Sequence, residues 1–508
     1  MTSPKILELD KLAECIDHLR EQKSTKVILC HGVFDLLHLG HIKYFQESKS
    51  FGDLLIVTVT PDEYVRRGPG RPIFSAQQRA ESIAALSVVD YVAINCWSTA
   101  VKTINMLKPD CYVKGPDYAE KRNDVTGNIN LEEEAVKAQG GEIKTTTGIT
   151  FSSTKLIKDN FNFMDDIQKA YLSKIKSKYS LDDFLSYLEM MGNLKVLLIG
   201  ESIIDEYIPC NALGKAGKDP VMTFRKLKSE KHLGGVLAIA NHLTEFCLSV
   251  NVLSCLGENR EYEEYISNNL RPGITFDAIS KLESPTIVKS RLIDLESNSK
   301  MLGIYDINDT NIGEEEEIKF LTMLESEINR SDVVIVADYG HGLLTEKLVN
   351  SIINKSKFLC VNTQLNSANI GFHTISKFHK ADYVCMHEAE LRHDFRSRDR
   401  GVEDLAKDLY HRLDAGVVTI TQGNRGAICF DGGDTIEECP AFANKIVDKV
   451  GAGDALFGLT SLAITVGMPK DMSLIIGSMA TLEVIASLGN SKSLSKNTLV
   501  KYLETIFK

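Results

Sequence analysis

The stretch "KVILCHGVFDLLHLGHIKYF", residues 26–45, decides the fold of the first part of the chain. It opens with an apolar run typical of a buried strand and closes in a helical pattern that continues to residue 52. Between them lie a glycine turn and three histidines, His31, His38 and His41, in a chain with only 12 histidines in 508 residues. The sequence therefore predicts a strand–turn–helix unit whose turn carries functional side chains.

The same alternation of strand and helix continues downstream. Apolar strands at 53–60 and 91–95, with a helix at 75–90 between them, are typical of a doubly wound parallel sheet in an α/β protein. A charged helical segment follows, and a strand at 195–200 begins a second α/β domain. Its further predicted strands are at 332–340, 358–362, 382–386 and 416–421. We expect three parts, with domains at 1–161 and 194–508 joined by a helical linker at 162–193.

Composition limits the classes of partner. The chain is 43% hydrophobic and 25% charged with a formal net charge of −11, which argues against broad binding to nucleic acid or anionic membranes. No apolar run reaches the roughly 18 residues of a membrane span, and the N-terminus lacks the apolar core of a secretory signal. The 11 cysteines are scattered without a C-x-x-C pair, as in a reducing cytosol. We expect a cytoplasmic protein that binds small molecules.

His38 and His41 are three residues apart at a predicted helix start, so they share one face. A helix N-terminus offers unpaired N–H groups and a positive dipole end, and Gly32 and Gly40 let a phosphate approach the backbone. Zinc is a rival interpretation, but H-x-x-H supplies only two ligands. A capped helix with incidental histidines is a second alternative. The residues favour a phosphate cradle.

"GVFDLLHLGH" (32–41) resembles the G-x-F-D-x-x-H-x-G-H signature of the nucleotidylyltransferase superfamily. Further matching pieces follow in order at 68–79, 113–118, 140–143 and 152–157. The resemblance implies that His38 and His41 donate to the α-phosphate of ATP or CTP, that Asp35 orders the turn or helps hold Mg²⁺, and that Lys114 meets a phosphate. It also assigns nucleotide and phosphate binding to Gly32, Phe34, Gly40, Arg79, Ser152, Ser153 and Thr154. For the last two, simple helix capping is an equal alternative.

"VDKVGAGDALFG" (447–458) is a glycine-rich turn that runs into an apolar helix. Its N–H groups can converge on an anion, and Asp454 can be either a helix cap or a general base. The motif resembles the ribokinase-family signature, which implies that Asp454 takes the proton of the acceptor hydroxyl and that ATP is the phosphoryl donor. The resemblance assigns the remaining roles to Gly451, Ala452 and Gly453 (phosphoryl group), Thr421 and Gly423 (nucleotide), Asp205, Gly234, Gly235 and Asp338 (sugar), and Glu390 (metal). A loop-capping role for Asp338 is an equal alternative.

The second domain departs from that family on the sugar and metal side. Ala238 and His387 each replace an asparagine, and Glu201 replaces an aspartate. Losing a buried hydrogen bond to a sugar changes substrate choice strongly. We expect kinase chemistry on a different or modified substrate, with a degenerate, non-phosphorylating domain as the alternative.

Together the two halves resemble the bacterial bifunctional heptose kinases/adenylyltransferases, with the domains in reversed order. This implies an Mg²⁺-dependent enzyme that phosphorylates a sugar or sugar phosphate and couples a sugar phosphate to a nucleotide, giving an ADP- or CDP-sugar. The alternative is a CTP-dependent polyol-phosphate cytidylyltransferase whose kinase-like domain binds sugar or dimerises. The resemblance further implies a ribokinase-like kinase domain with a small lid and a homodimer, with residues 205–227 as the lid or the pairing strand region.

Overall fold

The computed structural model describes residues 3–65, 72–115, 128–146, 164–296, 299–443 and 446–507. The chain divides into two compact units, Met1–Asp165 and Asp166–Lys508. Within the described ranges no helix is both long and apolar enough to cross a membrane.

Unit 1 is built on five parallel strands in the order β3-β2-β1-β4-β5. The strands are β1 (Val27–Gly32), β2 (Leu54–Val59), β3 (Tyr91–Ile94), β4 (Cys111–Lys114) and β5 (Glu142–Thr145). The order reverses between β1 and β4, and ligands of doubly wound sheets bind at such a switch point, beyond the carboxyl ends of the strands.

In the described part of unit 1, five helices accompany this sheet, and apolar clusters lie on both of its faces. They are α1 (Leu9–Gln22), α2 (Leu39–Lys49), α3 (Ala76–Ala84), α4 (Val101–Leu107) and α5 (Asn128–Ala138). The helix predicted over 75–90 begins at its capping box, in which the Ser75 side chain and Gln78 exchange hydrogen bonds. It ends early, at Ala84, because the next residues turn into the neighbouring strand β3.

The helical segment predicted as a linker is packed into unit 2. It forms α6 (Asp166–Lys178) and α7 (Leu181–Met191). Tyr179 donates to a carboxylate oxygen of Asp471 at 2.8 Å, and the buried ring of Phe184 packs against Phe507. The segment therefore belongs to the second unit, because its buried apolar residues pack against other residues of that unit.

Unit 2 contains a nine-stranded sheet in the order β11-β10-β6-β14-β15-β16-β17-β18-β19. Its strands are β6 (Lys195–Gly200), β10 (Ser249–Gly257), β11 (Ile274–Lys281), β14 (Val333–Asp338), β15 (Leu359–Thr363), β16 (Tyr383–His387), β17 (Val417–Thr421), β18 (Ala427–Phe430) and β19 (Glu437–Cys439). All adjacent pairs from β11 to β17 are parallel, whereas β18 and β19 are antiparallel. The predicted fold class, two doubly wound parallel-sheet domains, is confirmed.

A small second sheet in unit 2 carries the order β13-β12-β7-β8, with β9 paired to β7. Its strands are β7 (Ser202–Lys215), β8 (Met222–Lys226), β9 (Glu230–Gly235), β12 (Ile287–Asp294) and β13 (Lys300–Asp306). Only the part at 205–227 was expected from sequence. Strand β7 follows β6 directly, so this sheet lies beside the switch point between β6 and β14.

The remaining helices of unit 2 connect and cover the large sheet. They are α8 (Val236–Leu243), α9 (Glu263–Asn269), α10 (Glu314–Ile328), α11 (Glu346–Lys355), α12 (Glu388–Asp394), α13 (Val402–Arg412), α14 (Ala452–Thr465), α15 (Lys470–Ile485) and α16 (Lys496–Phe507). The buried core lies between this sheet and the helices.

Candidate active sites

The first candidate site lies where β1 ends. Phe34 takes a left-handed backbone conformation (φ 49°), and its ring lies against Gly32, where a β-carbon would come within 3.0 Å of the ring. His38 then caps α2 in an extended conformation, with Gly40 as the second helical residue. This turn places the N-terminus of α2 at the switch point of the sheet.

His38 and His41 form one stacked pair. Their ring centroids are 3.9 Å apart with an interplanar angle of 20°. The rings of Phe34 and His41 form a T-shaped pair with centroids 5.3 Å apart. Burial lowers the pKa of His38, which keeps its imidazole neutral near pH 7. His31, which carried no predicted role, is half-buried and hydrogen-bonded to the Thr58 hydroxyl at 2.9 Å.

Asp35 orders the segment that precedes α3. Its buried carboxylate accepts hydrogen bonds from the backbone N–H groups of Ile73 at 2.7 Å and Phe74 at 3.2 Å. Asp35 therefore ties the turn after β1 to residues 73 and 74, and its two predicted roles, ordering the turn or helping to hold Mg²⁺, stay predictions.

Arg79 lies behind the phosphate cradle instead of facing into it. Its side chain is 1% exposed, and its guanidinium donates to the carbonyls of Phe74, Val33 and Thr60 and to the carboxylate of Asp62. All three guanidinium nitrogens are used within the protein. The expected nucleotide contact of Arg79 is therefore replaced by a role in fixing the loops around the cradle.

Lys114, at the end of β4, is held by an ion pair that the sequence did not reveal. Its ammonium is 2.8 Å from Glu132 on α5 and 4.8 Å from the ring centre of Tyr112. Glu132 also accepts a hydrogen bond from the Tyr112 hydroxyl at 2.9 Å, and Lys114 helps lower its pKa against the effect of burial. Ser152, Ser153 and Thr154 lie outside the described residues.

The second candidate site is the turn before α14. Gly451 has φ 82° and packs on the side chain of Asn490, so a β-carbon there would overlap the amide oxygen. Gly453, by contrast, is exposed, and a β-carbon would meet nothing within 4 Å. With Ala452 between them, the turn leaves open space at the helix N-terminus, where an anion is favoured.

Asp454 sits in the first turn of α14 and accepts a hydrogen bond from the Tyr339 hydroxyl at 3.0 Å. Burial raises the pKa of Asp454 to about 6, the nearby charge of Asp205 acts in the same direction, and Lys289 opposes it. A carboxylate with such a pKa is a competent general base near neutral pH.

Asp205 on β7 faces the same region. One carboxylate oxygen lies 2.5 Å from the guanidinium of Arg291, and a β-carbon added at Gly234 would come within 2.3 Å of the other. Gly235 then begins α8. The two glycines thus allow β9 to run against the Asp205 carboxylate.

Lys289 on β12 is a cation that sequence reasoning missed. The residue is 6% exposed, and its ammonium lies 5.9 Å from the ring centre of Tyr339. Burial lowers the pKa of Lys289, while Asp205 and Asp454 raise it. Because side chains two apart on a strand share a face, the pair Lys289 and Arg291 could have been recognised from its spacing.

Asp338 is turned into the protein. Its carboxylate is 1% exposed, pairs with the ammonium of Lys377 and accepts the N–H of Gly340 at 3.1 Å. The expected contact with sugar is replaced by the loop-capping alternative. The neighbouring carboxylate of Glu201 accepts the N–H groups of Tyr339 and His341, each at 3.0 Å, and so fixes the loop after β14.

Glu390 caps the helix on which it lies. Its carboxylate accepts the N–H groups of His387 at 2.7 Å and Leu365 at 3.2 Å, and burial raises its pKa to about 7, with Asp454 adding to the effect. Among the residues that the structure describes, no three His, Cys, Asp or Glu side chains form a metal-binding group. The expected metal role of Glu390 therefore does not rest on a preformed group of three such ligands in the described part.

The loop after β17 holds the other nucleotide candidates. Thr421 ends the strand, and Gly423 is exposed with φ 62°. Glu388, which was not predicted, anchors this loop through an ion pair with Arg425 and a 3.0 Å hydrogen bond from Gln422. Ala238, in the first turn of α8, is buried and offers no side-chain hydrogen bond.

Comparison with known families gives two matches along the chain. A cytidylyltransferase-like family model matches residues 29–159, and the model of the pfkB family of carbohydrate kinases matches residues 193–497. The two matches together cover both candidate sites.

Curated relatives match over part of their length. A bifunctional protein HldE of Helicobacter pylori is 46% identical over 122 residues, which is 24% of this chain and 26% of that protein. The bifunctional protein HldE of Geobacter metallireducens is 37% identical over 169 residues, 33% of this chain and 32% of that protein. The matched region thus spans about a quarter to a third of these relatives.

Solved structures resemble unit 2 in fold. Phosphofructokinase-2 from Escherichia coli, in complex with substrates and products, aligns with a TM-score of 0.51 at 13% identity, over 62% of this chain and 99% of that chain. The same enzyme in complex with potassium aligns with a TM-score of 0.50 at 13% identity, over 62% of this chain and 100% of that chain.

Proposed function

Because the chain belongs to the pfkB family of carbohydrate kinases and carries a cytidylyltransferase-like domain before the kinase domain, we propose that it makes a nucleotide-linked sugar by two reactions. The kinase transfers a phosphoryl group from ATP to a sugar or sugar phosphate. The transferase couples a sugar phosphate to ATP or CTP and releases pyrophosphate, giving a heptose-like ADP- or CDP-sugar. This order of domains is the reverse of that expected in the heptose enzymes.

The stacked His38–His41 pair is the observation that carries the transferase reaction. An oxygen of the sugar phosphate attacks the α-phosphorus in line, and the bond from that phosphorus to the pyrophosphate oxygen breaks. No protein nucleophile is required, since positioning and charge stabilisation can supply the catalysis. His38, neutral because burial lowers its pKa, would donate to an α-phosphate oxygen together with His41 and the N–H groups at the start of α2.

Asp454 carries the kinase reaction. It takes the proton of the acceptor hydroxyl as that oxygen attacks the γ-phosphorus of ATP, and ADP leaves. The N–H groups of the turn at Gly451 and Gly453 would receive the transferring phosphoryl group. Lys289 and Arg291 would face the acceptor from β12, where the Arg291 guanidinium pairs with Asp205.

Mg²⁺ fits the kinase site through a carboxylate. In phosphoryl-transfer sites this ion keeps several waters and takes one or two carboxylates together with substrate phosphates. Glu390, a buried carboxylate whose charge couples to that of Asp454, is of the right chemical kind to hold it. The ion, when bound, would neutralise charge on the nucleotide phosphates.

A homodimer through the small sheet is supported by its exposed apolar surface. Strand β13 is one edge of that sheet, and all seven of its residues are exposed, including Leu302 and Ile304. Leu213 on β7 and Met222 on β8 are exposed as well. An exposed edge with apolar side chains is a surface that natural proteins usually cover. Analytical ultracentrifugation of the full chain tests this, and a monomer at all concentrations would contradict it.

The two reactions are tested separately on the full chain. Candidate sugar phosphates are incubated with ATP, CTP, GTP or UTP, and pyrophosphate release is measured. Candidate sugars and sugar phosphates are incubated with ATP, and ADP formation is measured. Absence of pyrophosphate with every pair would exclude the transferase reaction, and absence of ADP alone would leave a transferase with a degenerate kinase domain.

Matched variants assign each reaction to its site. His41→Ala should reduce pyrophosphate release by about 100-fold or more, as for loss of one transition-state donor, and leave ADP formation unchanged. Asp454→Asn should abolish ADP formation and leave pyrophosphate release intact. If both activities fell together in either variant, the two-site proposal would be wrong.

A further inference from the structure

Tyr339 contacts the proposed base of the kinase site, although neither sequence motif gave it a role. It directly follows β14 and is 2% exposed, and its hydroxyl donates to Oδ1 of Asp454 at 3.0 Å. Residues 339 and 454 are far apart in sequence, so the contact depends on the fold that brings the end of β14 to the start of α14.

The backbone of Tyr339 is anchored on both sides. Its N–H donates to the carboxylate of Glu201 at 3.0 Å, and its carbonyl accepts from the amides of Asn366 at 3.0 Å and Asn369 at 2.9 Å. Because three hydrogen bonds already fix the backbone of this residue, holding its hydroxyl in one position costs little additional conformational entropy. Glu201, which replaces the aspartate of the family pattern, is one of the three anchors.

Charged groups from four elements surround this contact. Asp205 approaches from β7, Lys289 from β12 and Glu390 from α12, while Asp454 itself lies on α14. Burial and the neighbouring carboxylates raise the pKa of Tyr339 well above its ordinary value, so its hydroxyl stays protonated. The Tyr339 hydroxyl is therefore a permanent donor toward a carboxylate that would otherwise resist ionisation in this environment.

We propose that Tyr339 is a positioning residue for phosphoryl transfer: its hydroxyl holds Oδ1 of Asp454, which leaves Oδ2 to accept the proton of the acceptor hydroxyl. The inference rests on the proposed kinase function. In the step, the O–H bond of the acceptor breaks and its proton moves to Oδ2. The freed oxygen forms a bond to the γ-phosphorus, and the bond from that phosphorus to ADP breaks.

The variant Tyr339→Phe keeps the ring and removes the donor. Loss of a hydrogen bond to the ionised form should raise the pKa of Asp454, so the acidic limb of the pH profile of kcat should move upward by about one pH unit. Because the pKa of Asp454 in the wild-type protein is about 6, a shift of about one unit should lower kcat about tenfold at pH 5 and about twofold at pH 7, with the KM for ATP unchanged. An unshifted acidic limb would overturn the proposal, because it would mean that the hydrogen bond is equally strong to the protonated and the ionised forms of Asp454.

A second measurement is independent of turnover. The full chain is labelled with ¹³C at aspartate carboxyl carbons, and the Asp454 signal is identified by its loss in Asp454→Asn. Its titration should shift upward in Tyr339→Phe. If wild-type protein forms no ADP, the proposed kinase function fails, whereas an unshifted carboxyl titration makes the Tyr339 inference fail by itself.

Two further variants complete the test. Tyr383→Phe is the matched control, since Tyr383 is equally buried and its hydroxyl bonds to Thr460 in the core, away from Asp454. It should leave the pH profile unchanged. Incorporation of 3-fluorotyrosine at position 339 keeps the donor and strengthens it, so the acidic limb should move downward. A shift in the control, or an upward shift with fluorotyrosine, would contradict the proposal.

Discussion

Asp454 shows at the scale of one residue how a catalytic group can oppose stability. Burial raises its pKa in the folded protein to about 6 from an ordinary value of 3.8. The folded state thus disfavours the ionised carboxylate, and this cost is present above about pH 6 and disappears below about pH 4. Ionised Asp454 therefore lowers the stability of unit 2 above about pH 6, and other interactions in the unit offset this loss.

We therefore expect Asp454→Asn to raise the thermal midpoint of unit 2 at pH 8. Asparagine has the same shape and still accepts from Tyr339, but it carries no charge. The gain should vanish at pH 4, where the aspartate is protonated. Differential scanning calorimetry at both pH values measures this. Asp434→Asn, on an exposed loop, is the control that should change neither midpoint; an equal gain at pH 4 and pH 8 would contradict the linkage argument.

Arg79 leads to a second prediction at this scale. Arg79→Lys keeps the charge but cannot reach the Val33 and Thr60 carbonyls and Asp62 together, as the guanidinium does. We expect unit 1 to lose about 2–4 kcal/mol of stability in urea denaturation, because buried acceptors lose their donors. Pyrophosphate release should fall as well, since these loops surround the cradle.

The control for Arg79 is Arg20→Lys. Arg20 makes a partly exposed ion pair with Asp110 at 3.0 Å, and lysine can replace it there. Its effect on stability should remain below about 1 kcal/mol. Equal losses of stability in the two variants would show that the buried hydrogen bonds of Arg79 contribute no more than the exposed ion pair of Arg20.

Sequence reasoning could find the site residues that are close together in the chain. The three-residue spacing of His38 and His41 at a helix start predicted that they share a face, and the structure stacks their rings, although His38 is the extended residue before α2. Glu132 and Tyr339 could not be found in this way, because their partners Lys114 and Asp454 lie on other elements. The direction of a side chain is equally hidden, which is why Asp338 was expected in the sugar site.

At the scale of elements, periodicity predicted the buried strands and missed much of the small sheet. A strand buried on both faces reads as a continuous apolar run, as residues 195–200 and 332–340 do. Strand β13 is exposed throughout, and its apolar residues Met301, Leu302, Ile304 and Tyr305 do not alternate with polar ones, so its pattern gives no period-two strand signal. The segment at 162–193 is charged and helical, and this composition predicted a linker although several of its apolar residues are buried in unit 2.

Phe184 tests the place of that segment in unit 2. It lies on α7, is fully buried and contacts Tyr179 and Phe507. Phe184→Ala should destabilise unit 2 by about 3–5 kcal/mol, as for other truncations of buried aromatic residues. Phe372→Ala is the matched control, because Phe372 is 93% exposed and should change stability by less than about 0.5 kcal/mol. Denaturant unfolding measures the free energy of unfolding of both variants. A loss below about 1 kcal/mol for Phe184→Ala would mean that the segment is a linker that adds little to the stability of unit 2.

At the scale of the whole molecule, each unit has its own sheet and its own apolar core. The compact units divide between residues 165 and 166, whereas the sequence suggested that the second domain begins at residue 194. The two boundaries differ by the helices α6 and α7, whose buried residues include Tyr171, Ile175 and Leu188.

This difference predicts how the chain can be divided. A fragment of residues 166–508 should fold and form ADP with the same substrate as the full chain, because its core is complete. A fragment of residues 194–508 should be poorly soluble or unfold at a much lower temperature, since it exposes the apolar surface that α6 and α7 cover. The complementary fragment of residues 1–165 should release pyrophosphate by itself. Circular dichroism melting curves and the two activity assays compare the fragments. Equal stability of the two longer fragments would mean that the helices are dispensable and that the second domain begins at residue 194.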